Sequence, residues 1–469
     1  MASFENIKKI HFVGVGGTGT GSLAVALANA GYQVSGSDGK LYEPMKSVLA
    51  NAKIQLLEGF VPENLKQVEP DLVIIGNVIR KDNPESSAWI QKGTPFCSFP
   101  EAVRRFVIED RVSVVCAGTH GKTTTSSWIA FLLRELGLNP SYLIGGVPLD
   151  LPSGCLITDG KVFVGEGDEY DSAFFDKGPK FLHYAPTFGI IANIEFDHAD
   201  IYRDLDHVKQ SFEKFVAILP GDGLLVARYD DPVALEVAQG ALCPVQTFGT
   251  GQGAMWRLGN VKESTDGFHF EVIYKNKACG EFQTPLFGEH NLLNLLSGII
   301  VAVNLGEKID RIRPIVAKFR GARRRQEILA SKPITLVDDF AHHPTEVAAT
   351  ISAVKRRFPN SKLWALFEPR SATARRNVHQ ADYVKAFDSA DEILLSVPFK
   401  SEALNAEVRL STESLVNELS QRGKKARQFP SSSSILDVLK NEAKPGDTLL
   451  VMSNGEFDKI QSKILSLFA

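Results

Sequence analysis

Three absences narrow the reading of this chain before any motif is considered. The five cysteines (97, 116, 155, 243 and 279) are odd in number, scattered, and form no C-x-x-C pair. That argues against a disulfide frame or a cysteine zinc site and for core residues in a reducing compartment. No run approaches the ~18 apolar residues of a membrane span, and the N-terminus lacks the long apolar core of a signal peptide. A soluble cytoplasmic protein with no membrane partner is the expectation. Charge of one sign is not in excess either: 52 Lys and Arg stand against 55 Asp and Glu, for a net charge of −3. No nucleic-acid footprint stands out, so no such partner is expected. What the chain does have is length. Its 469 residues exceed what one core organises, and roughly two to four domains are expected.

The organising stretch is Cys116-Ala117-Gly118-Thr119-His120-Gly121-Lys122-Thr123-Thr124-Thr125. It follows the apolar run 112–115 and opens onto an amphipathic segment, 126–136. Strand, glycine turn and helix make a phosphate cradle, because backbone N–H groups and the positive helix end face an anion. Lys122 supplies a charge for the β/γ-phosphates and Thr123 a hydroxyl for Mg²⁺. The fit to G-x-x-x-x-G-K-[ST] is imperfect, since Cys116 stands at the first glycine position. The bland alternative is an ordinary strand-to-helix turn.

Upstream, a strand at 10–13 meets Gly14-Val15-Gly16-Gly17, a helix to residue 30 and a second strand ending at Ser37-Asp38. This is the βαβ fingerprint for a diphosphate. By itself it leaves a nicotinamide cofactor, a nucleotide-sugar or plain helix packing open. The buried run 71–76 ends at Asn77, at the rim where such sheets bind ligands. Glu109-Asp110 reads as a hinge.

Downstream, an apolar strand runs into Glu166-Gly167-Asp168-Glu169-Tyr170-Asp171. An acidic run is commonly a solvated loop. Beside a phosphate loop it supplies a metal ligand, and Glu166, first off the strand, is the candidate. The strand 189–195 leads to His198, which is either a surface imidazole or one ligand in a mainly oxygen shell, Mg²⁺ or Mn²⁺. Residues 254–281 alternate as an antiparallel meander. Asn291 and Asn294 lie one turn apart on a helix, suited to a purine edge or to capping. The basic run 320–325 is a solvated face or a γ-phosphate clamp. A third α/β unit begins near 334, with polar residues at its strand ends: Asp338-Asp339, Glu368-Pro369-Arg370-Ser371 and Ser453-Asn454.

The ordered set Gly-Thr-His-Gly-Lys-Thr-Thr, Glu-Gly-Asp-Glu-Tyr-Asp, Asn-Ile-Glu-Phe-Asp-His, Gly-Glu-His-Asn-Leu-Leu-Asn and Asp-Asp-Phe-Ala-His-His-Pro resembles the Mur ligase family along the whole chain. The resemblance implies an α/β fold of three domains, each a mostly parallel sheet flanked by helices. They are a Rossmann-like UDP-sugar domain (1–108), a P-loop ATPase-like domain with an antiparallel β insertion (109–326) and a Rossmann-like C-terminal domain (327–469). It implies an ADP-forming amide ligase acting through an acyl phosphate in peptidoglycan recycling. Gly165 to Lys177 and Phe367 to Ser371 resemble the branch that joins L-alanyl-γ-D-glutamyl-meso-diaminopimelate to UDP-N-acetylmuramate; the alanine-adding branch is the alternative.

By the same resemblance, Gly118, Thr119, His120, Gly121, Lys122, Thr123 and Thr124 meet ATP phosphates, with Lys122, His120 and His198 catalytic. Thr123, Glu166 and His198 hold metal, His198 joining Glu166 on a second ion. Asn291 and Asn294 meet adenine, Arg323 the γ-phosphate and Asp339 the ribose. Gly14, Gly16, Gly17, Ser37, Asp38 and Asn77 hold the UDP-sugar, and Arg370 and Ser371 the peptide. Several members carry a carbamylated lysine; Phe212 and Glu213 stand near its place, with Lys209 and Lys214 close by, so none is expected. A monomer is expected.

Overall fold

The computed structural model describes residues 6–39, 41 and 45–469, and builds three large sheets in chain order and a small antiparallel hairpin, Asp171–Ala173 with Asp176–Pro179. The first is parallel throughout, in the spatial order Gln55–Glu58, Gln33–Asp38, Lys9–Val13, Leu72–Ile75, Phe96–Ser98. Leu72–Ile75 is buried at every position, as a strand covered by helices on both faces must be. Winding reverses between Lys9–Val13 and Leu72–Ile75, which opens a crevice at the C-terminal rim.

The second sheet has ten strands and is mixed. Val245–Gly249, Leu224–Arg228, Phe188–Ile191, Val112–Ala117, Val162–Gly167 and Ser141–Leu143 lie side by side and parallel. The meander Trp256–Ser264, Gly267–Tyr274 and Lys277–Thr284 extends this same sheet at one edge. Helix Lys122–Glu135 begins four residues before the amphipathic segment read from sequence, because Gly121 (φ 83°) caps it in the left-handed region. It is also buried on nearly every side, since helix Glu289–Asn304 covers the face that periodicity assigned to solvent. The Trp128 indole donates to the Leu295 carbonyl at 3.0 Å, and Gly298 leaves room for its ring.

The third sheet runs Glu327–Ala330, Thr335–Asp339, Thr448–Met452, Leu363–Phe367, Glu392–Ser396, Lys425–Phe429, parallel except for its first pair. Its helix Pro344–Arg357 starts with a capping box closed by Glu346, the reciprocal bonding that Thr345 and Glu346 suggest.

Residues 195–199 tie the second sheet to the third. Thr345 Oγ1 donates to Glu195 Oε2 at 2.6 Å, and His343 Nδ1 lies 3.4 Å from the same oxygen. His379 Nε2 is 3.0 Å from the Phe196 carbonyl, His342 Nε2 is 3.6 Å from Asp197, and the Ala199 N–H donates to Thr373 at 3.1 Å. The phosphate loop joins in: His120 Nδ1 is 3.3 Å from Glu346 and its Nε2 is 3.6 Å from Glu195.

Burial alone would push the His120 imidazole below its ordinary 6.5. The carboxylates of Glu346 and Glu195 outweigh burial and raise it to about 10. Burial likewise opposes ionisation of Glu195, but His120 holds it at about 2. A raised imidazole contributes stability that is complete below its unfolded value and lost as pH rises through its folded one. A depressed carboxylate contributes stability that is lost as pH falls. The joint is therefore strongest between the unfolded values, 4.5 for the glutamates and 6.5 for the histidine. Urea midpoints of the wild type should decline between pH 6.5 and 10 relative to those of His120→Gln; parallel profiles would show that the imidazole carries no charge in the joint.

Candidate active site

Three neighbouring parallel strands deliver the reactive side chains to one rim. Phe188–Ile191, Val112–Ala117 and Val162–Gly167 pair in register, Ile191 opposite Ala117 and Ala117 opposite Gly167. The loops that follow carry His198, the phosphate loop and Glu169. Gly118 (φ 137°) and Gly121 (φ 83°) shape the turn, and at Gly118 a Cβ would meet the Ala192 N and Asn193 O atoms at 3.2 Å. The Asn193 side chain accepts from the His120 N–H at 2.7 Å and locks the loop to the next strand. Gly121 offers no side-chain cap, so the first N–H groups of the helix face outward, as an anion cradle requires.

Lys122 Nζ donates to the Gly118 carbonyl at 2.7 Å and to Glu169 Oε2 at 2.9 Å. The other Glu169 oxygen lies 3.4 Å from His198 Nε2, and the Tyr202 hydroxyl donates to its carbonyl. Glu169 is thus the acid that joins two of the sequence-predicted residues. The resemblance implied that His198 joins Glu166 on a second metal ion; its imidazole here lies against Glu169. The strand ends at Gly167, and of the acids beyond it Glu169 is the one whose carboxylate reaches both cations, while Asp168 takes Lys180 at 3.0 Å. Burial opposes ionisation of Glu169, yet Lys122 and His198 together hold its carboxyl below the usual range. Burial also opposes protonation of Lys122 and of His198; Glu169 overcomes it in both, and both are raised.

Glu166 differs. Its Oε2 accepts from the Thr123 hydroxyl at 3.1 Å and its Oε1 from the Gly145 N–H at 2.7 Å. Burial, with Asp168 nearby, pushes its carboxyl up. A part-buried carboxylate and a hydroxyl side by side, with only the Arg325 guanidinium at the hydroxyl, form a donor set that suits a hard divalent ion. Phe212 is buried in the core, Glu213 is exposed and Lys209 pairs with Glu236.

A cavity of about 490 Å³ opens beside the loop, between the second and third sheets. His120, Gly121, Thr124, Asn291, Asn294 and Asp339 line it. The Asn291 amide donates to the Phe287 carbonyl at 2.7 Å, and Gly288, not Asn291, caps the helix. Asp339 accepts from the N–H groups of Gln326 and Ala341, both at 2.7 Å, while burial raises its carboxyl to about 6. The basic run divides its work. Arg320 pairs with Asp150, Arg323 turns outward to Glu327 at 3.3 Å, and Arg324 holds the carbonyls of Ser453 and Gly455. It is Arg325 that lines the cavity and reaches Thr123 Oγ1, at 3.4 Å. Which arginine points inward depends on left-handed backbone at Arg324 (φ 57°) and Gln326 (φ 54°), and three consecutive arginines carry no signal for that.

In the first sheet, Gly14 has φ 92° and the Gly14 and Val15 N–H groups donate to the Ser37 carbonyl at 2.9 and 3.1 Å. Asp38 accepts from the Gly16 N–H at 2.7 Å, Gly17 starts the next helix without a side-chain cap, and Asn77 is exposed at the rim. The Ser37 hydroxyl is buried without a partner. In the third sheet, Arg370 lies over the Phe399 ring, 3.9 Å from its centre, and 3.5 Å from Glu368, while the Ser371 hydroxyl accepts from the Ala374 N–H.

Residues 9–111 match the Mur ligase family, catalytic domain; residues 116–302 the Mur ligase middle domain; and residues 324–455 the Mur ligase, glutamate ligase domain. UDP-N-acetylmuramate–L-alanyl-γ-D-glutamyl-meso-2,6-diaminoheptandioate ligase of Escherichia coli K12 is 36% identical over 97% of both chains. The crystal structure of a murein peptide ligase from Psychrobacter arcticus covers 98% of both chains at 29% identity and TM-score 0.74. UDP-N-acetylmuramate–alanine ligase from Thermotoga maritima superposes at TM-score 0.80 over 98% of both chains, but at 25% identity. The two rankings disagree. A whole-chain superposition of three sheets weighs their mutual orientation, which moves in domain closure, so sequence identity is the better guide to the branch. By its three matched domains and its full-length relatives, the chain belongs to the Mur ligase family.

Proposed function

We propose that this protein joins L-alanyl-γ-D-glutamyl-meso-diaminopimelate to UDP-N-acetylmuramate, with conversion of ATP to ADP and phosphate, as a cytoplasmic monomer in peptidoglycan recycling. The observation that carries the reading is the convergence of Lys122, Glu169, His198 and Glu166 beside a cavity shared by two domains. The choice of tripeptide over alanine rests on the relative from Escherichia coli, whose name states that substrate. Among the described residues no helix is long and apolar enough to cross a membrane.

A carboxylate does not condense with an amine in water, because its oxygen leaves poorly. Transfer of the γ-phosphoryl group to the muramyl carboxylate makes phosphate the leaving group, and the alanine amine of the tripeptide then attacks the carbonyl. The obstacle is charge. Two anions at ~4 Å and an effective dielectric of ~20 repel by about 4 kcal/mol. Lys122, Arg325 and the protonated His120 bring the protein's positive charge to that place, and the phosphate loop's N–H groups add their dipoles. Thr123 and Glu166 would hold Mg²⁺, with Mn²⁺ an alternative, and His198 would steady the neighbouring Glu169; the ion would supply further neutralisation of the triphosphate. Asn291 and Asn294 offer amides for adenine and Asp339 a carboxylate for ribose. Gly14, Gly16, Gly17 and the unpartnered Ser37 hydroxyl would take the UDP diphosphate, with Asp38 and Asn77 on the sugar side. Arg370 and Ser371 face the peptide. Closure of the third domain over His120 excludes water from the acyl phosphate.

Incubation with ATP, UDP-N-acetylmuramate and either L-alanine or the tripeptide decides between branches by product mass. Tripeptide adduct should form, and Lys122→Ala should abolish it while thermal unfolding stays cooperative; an alanine adduct alone would move the protein to the other branch. Arg325→Ala should lower kcat on the order of 100-fold, the usual loss when one donor to developing charge is removed. Arg323→Ala should change it less than threefold. The reverse order would return the clamp to Arg323.

A further inference from the structure

A second cavity, of about 310 Å³, lies where the second and third domains meet, on the far side of the segment that carries His198. Asp200 and Arg203 come to it from the second domain, and Arg376, Asn377, Val378 and Val408 from the third. Its walls are held together by the bonds from Ala199 to Thr373 and from His379 to Phe196.

Neither arginine in this cavity has a carboxylate partner, unlike several at the larger site. Arg320, Arg323, Arg324 and Arg370 each have a carboxylate partner. Among the described residues the Arg376 guanidinium donates only to the Ala372 carbonyl, at 3.0 Å, and the Arg203 guanidinium makes no hydrogen bond or ion pair. Asp200 is likewise exposed and unpaired. Val378 and Val408, each 44% exposed, add apolar wall beside them. Two guanidinium groups without a carboxylate partner, one unpaired carboxylate and an aliphatic wall match a ligand end that bears carboxylate, ammonium and methylenes together. A guanidinium fork binds a carboxylate bidentately.

We propose that this cavity is the subsite for the third residue of the peptide and selects a diamino diacid there. The inference rests on the tripeptide reading above. Diaminopimelate presents a second amino-acid head, carboxylate and ammonium on one carbon, at the end of three methylenes. Arg203 and Arg376 take its carboxylates, Asp200 its ammonium, and Val378 and Val408 its methylenes. The reach is right: the residue lies two beyond the attacking alanine, roughly 7–10 Å at ~3.5 Å per residue. On the protein side, a single turn closed by bonds from the Ile201 and Tyr202 N–H groups to the His198 carbonyl separates His198 from Arg203. Lysine at that position would keep the ammonium and methylenes but lack the distal carboxylate.

The test compares KM for the diaminopimelate tripeptide with KM for its lysine analogue, in the wild type and in Arg203→Ala/Arg376→Ala. The wild type should favour diaminopimelate at least 10-fold. The double variant should lose that preference to within threefold, through a raised KM for the diaminopimelate peptide, while KM for ATP stays within twofold. A preference unchanged in the variant, or absent from the wild type, overturns the assignment. Should the double variant not fold, exposed Arg203→Ala alone must narrow the preference at least threefold or the assignment falls. A wild type that ligates neither peptide would instead overturn the tripeptide reading.

Discussion

One buried carboxylate holds the centre of this molecule together. Glu169 is 1% exposed and binds Lys122 with one oxygen while the other faces His198. Each of the three follows a different strand, and the strands are immediate neighbours in a parallel sheet. Parallel pairing puts their C-terminal ends on the same rim, so residues 122, 169 and 198 become a cluster although they lie far apart along the chain. Burying three charged groups is unfavourable unless each meets its complement. The pairing is therefore a condition for the rim to exist as well as a means of aiming Lys122.

Much of this could be read from the chain, and the failures have a common cause. Polar residues following the apolar runs read at 112–115, before Glu166 and at 189–195 marked the rim, since buried parallel strands read as unbroken hydrophobic segments. The three-sheet order and the glycine turns followed from local pattern alone. What local pattern does not contain is orientation across a sheet or a domain joint. The Glu166–Asp171 run offered four acids with no sign of which would face His198. Among Arg323, Arg324 and Arg325 the inward side chain is chosen by backbone twist. Glu346 looked like a helix cap, and it is one, but it also meets His120 of another domain. The helix at 122–135 was misjudged for the same reason, because its second covering layer comes from residues 289–304.

The joint between the second and third domains has a structure of its own. Residues 192–203 wall both cavities: Asn193 and Glu195 face the larger, Phe196 and Ala199 to Arg203 the smaller, and Asp197 and His198 sit between. The third domain covers both at once, with Thr345 and Glu346 on one side and Arg376 to Val378 on the other. One short segment thus divides the larger cavity, proposed for the nucleotide, from the smaller, proposed for the peptide.

That division bears on the order of events. On that assignment an acyl phosphate made in the larger cavity would meet an amine from the smaller one at the edge of residues 197–198. The same bonds that seat the third domain on this segment also build the smaller cavity, because Thr373 and His379 flank Arg376 in the chain. Displacing the third domain would part Arg376 from Arg203 and remove one wall from each cavity. Under the proposed assignment, closure would therefore couple water exclusion to peptide recognition.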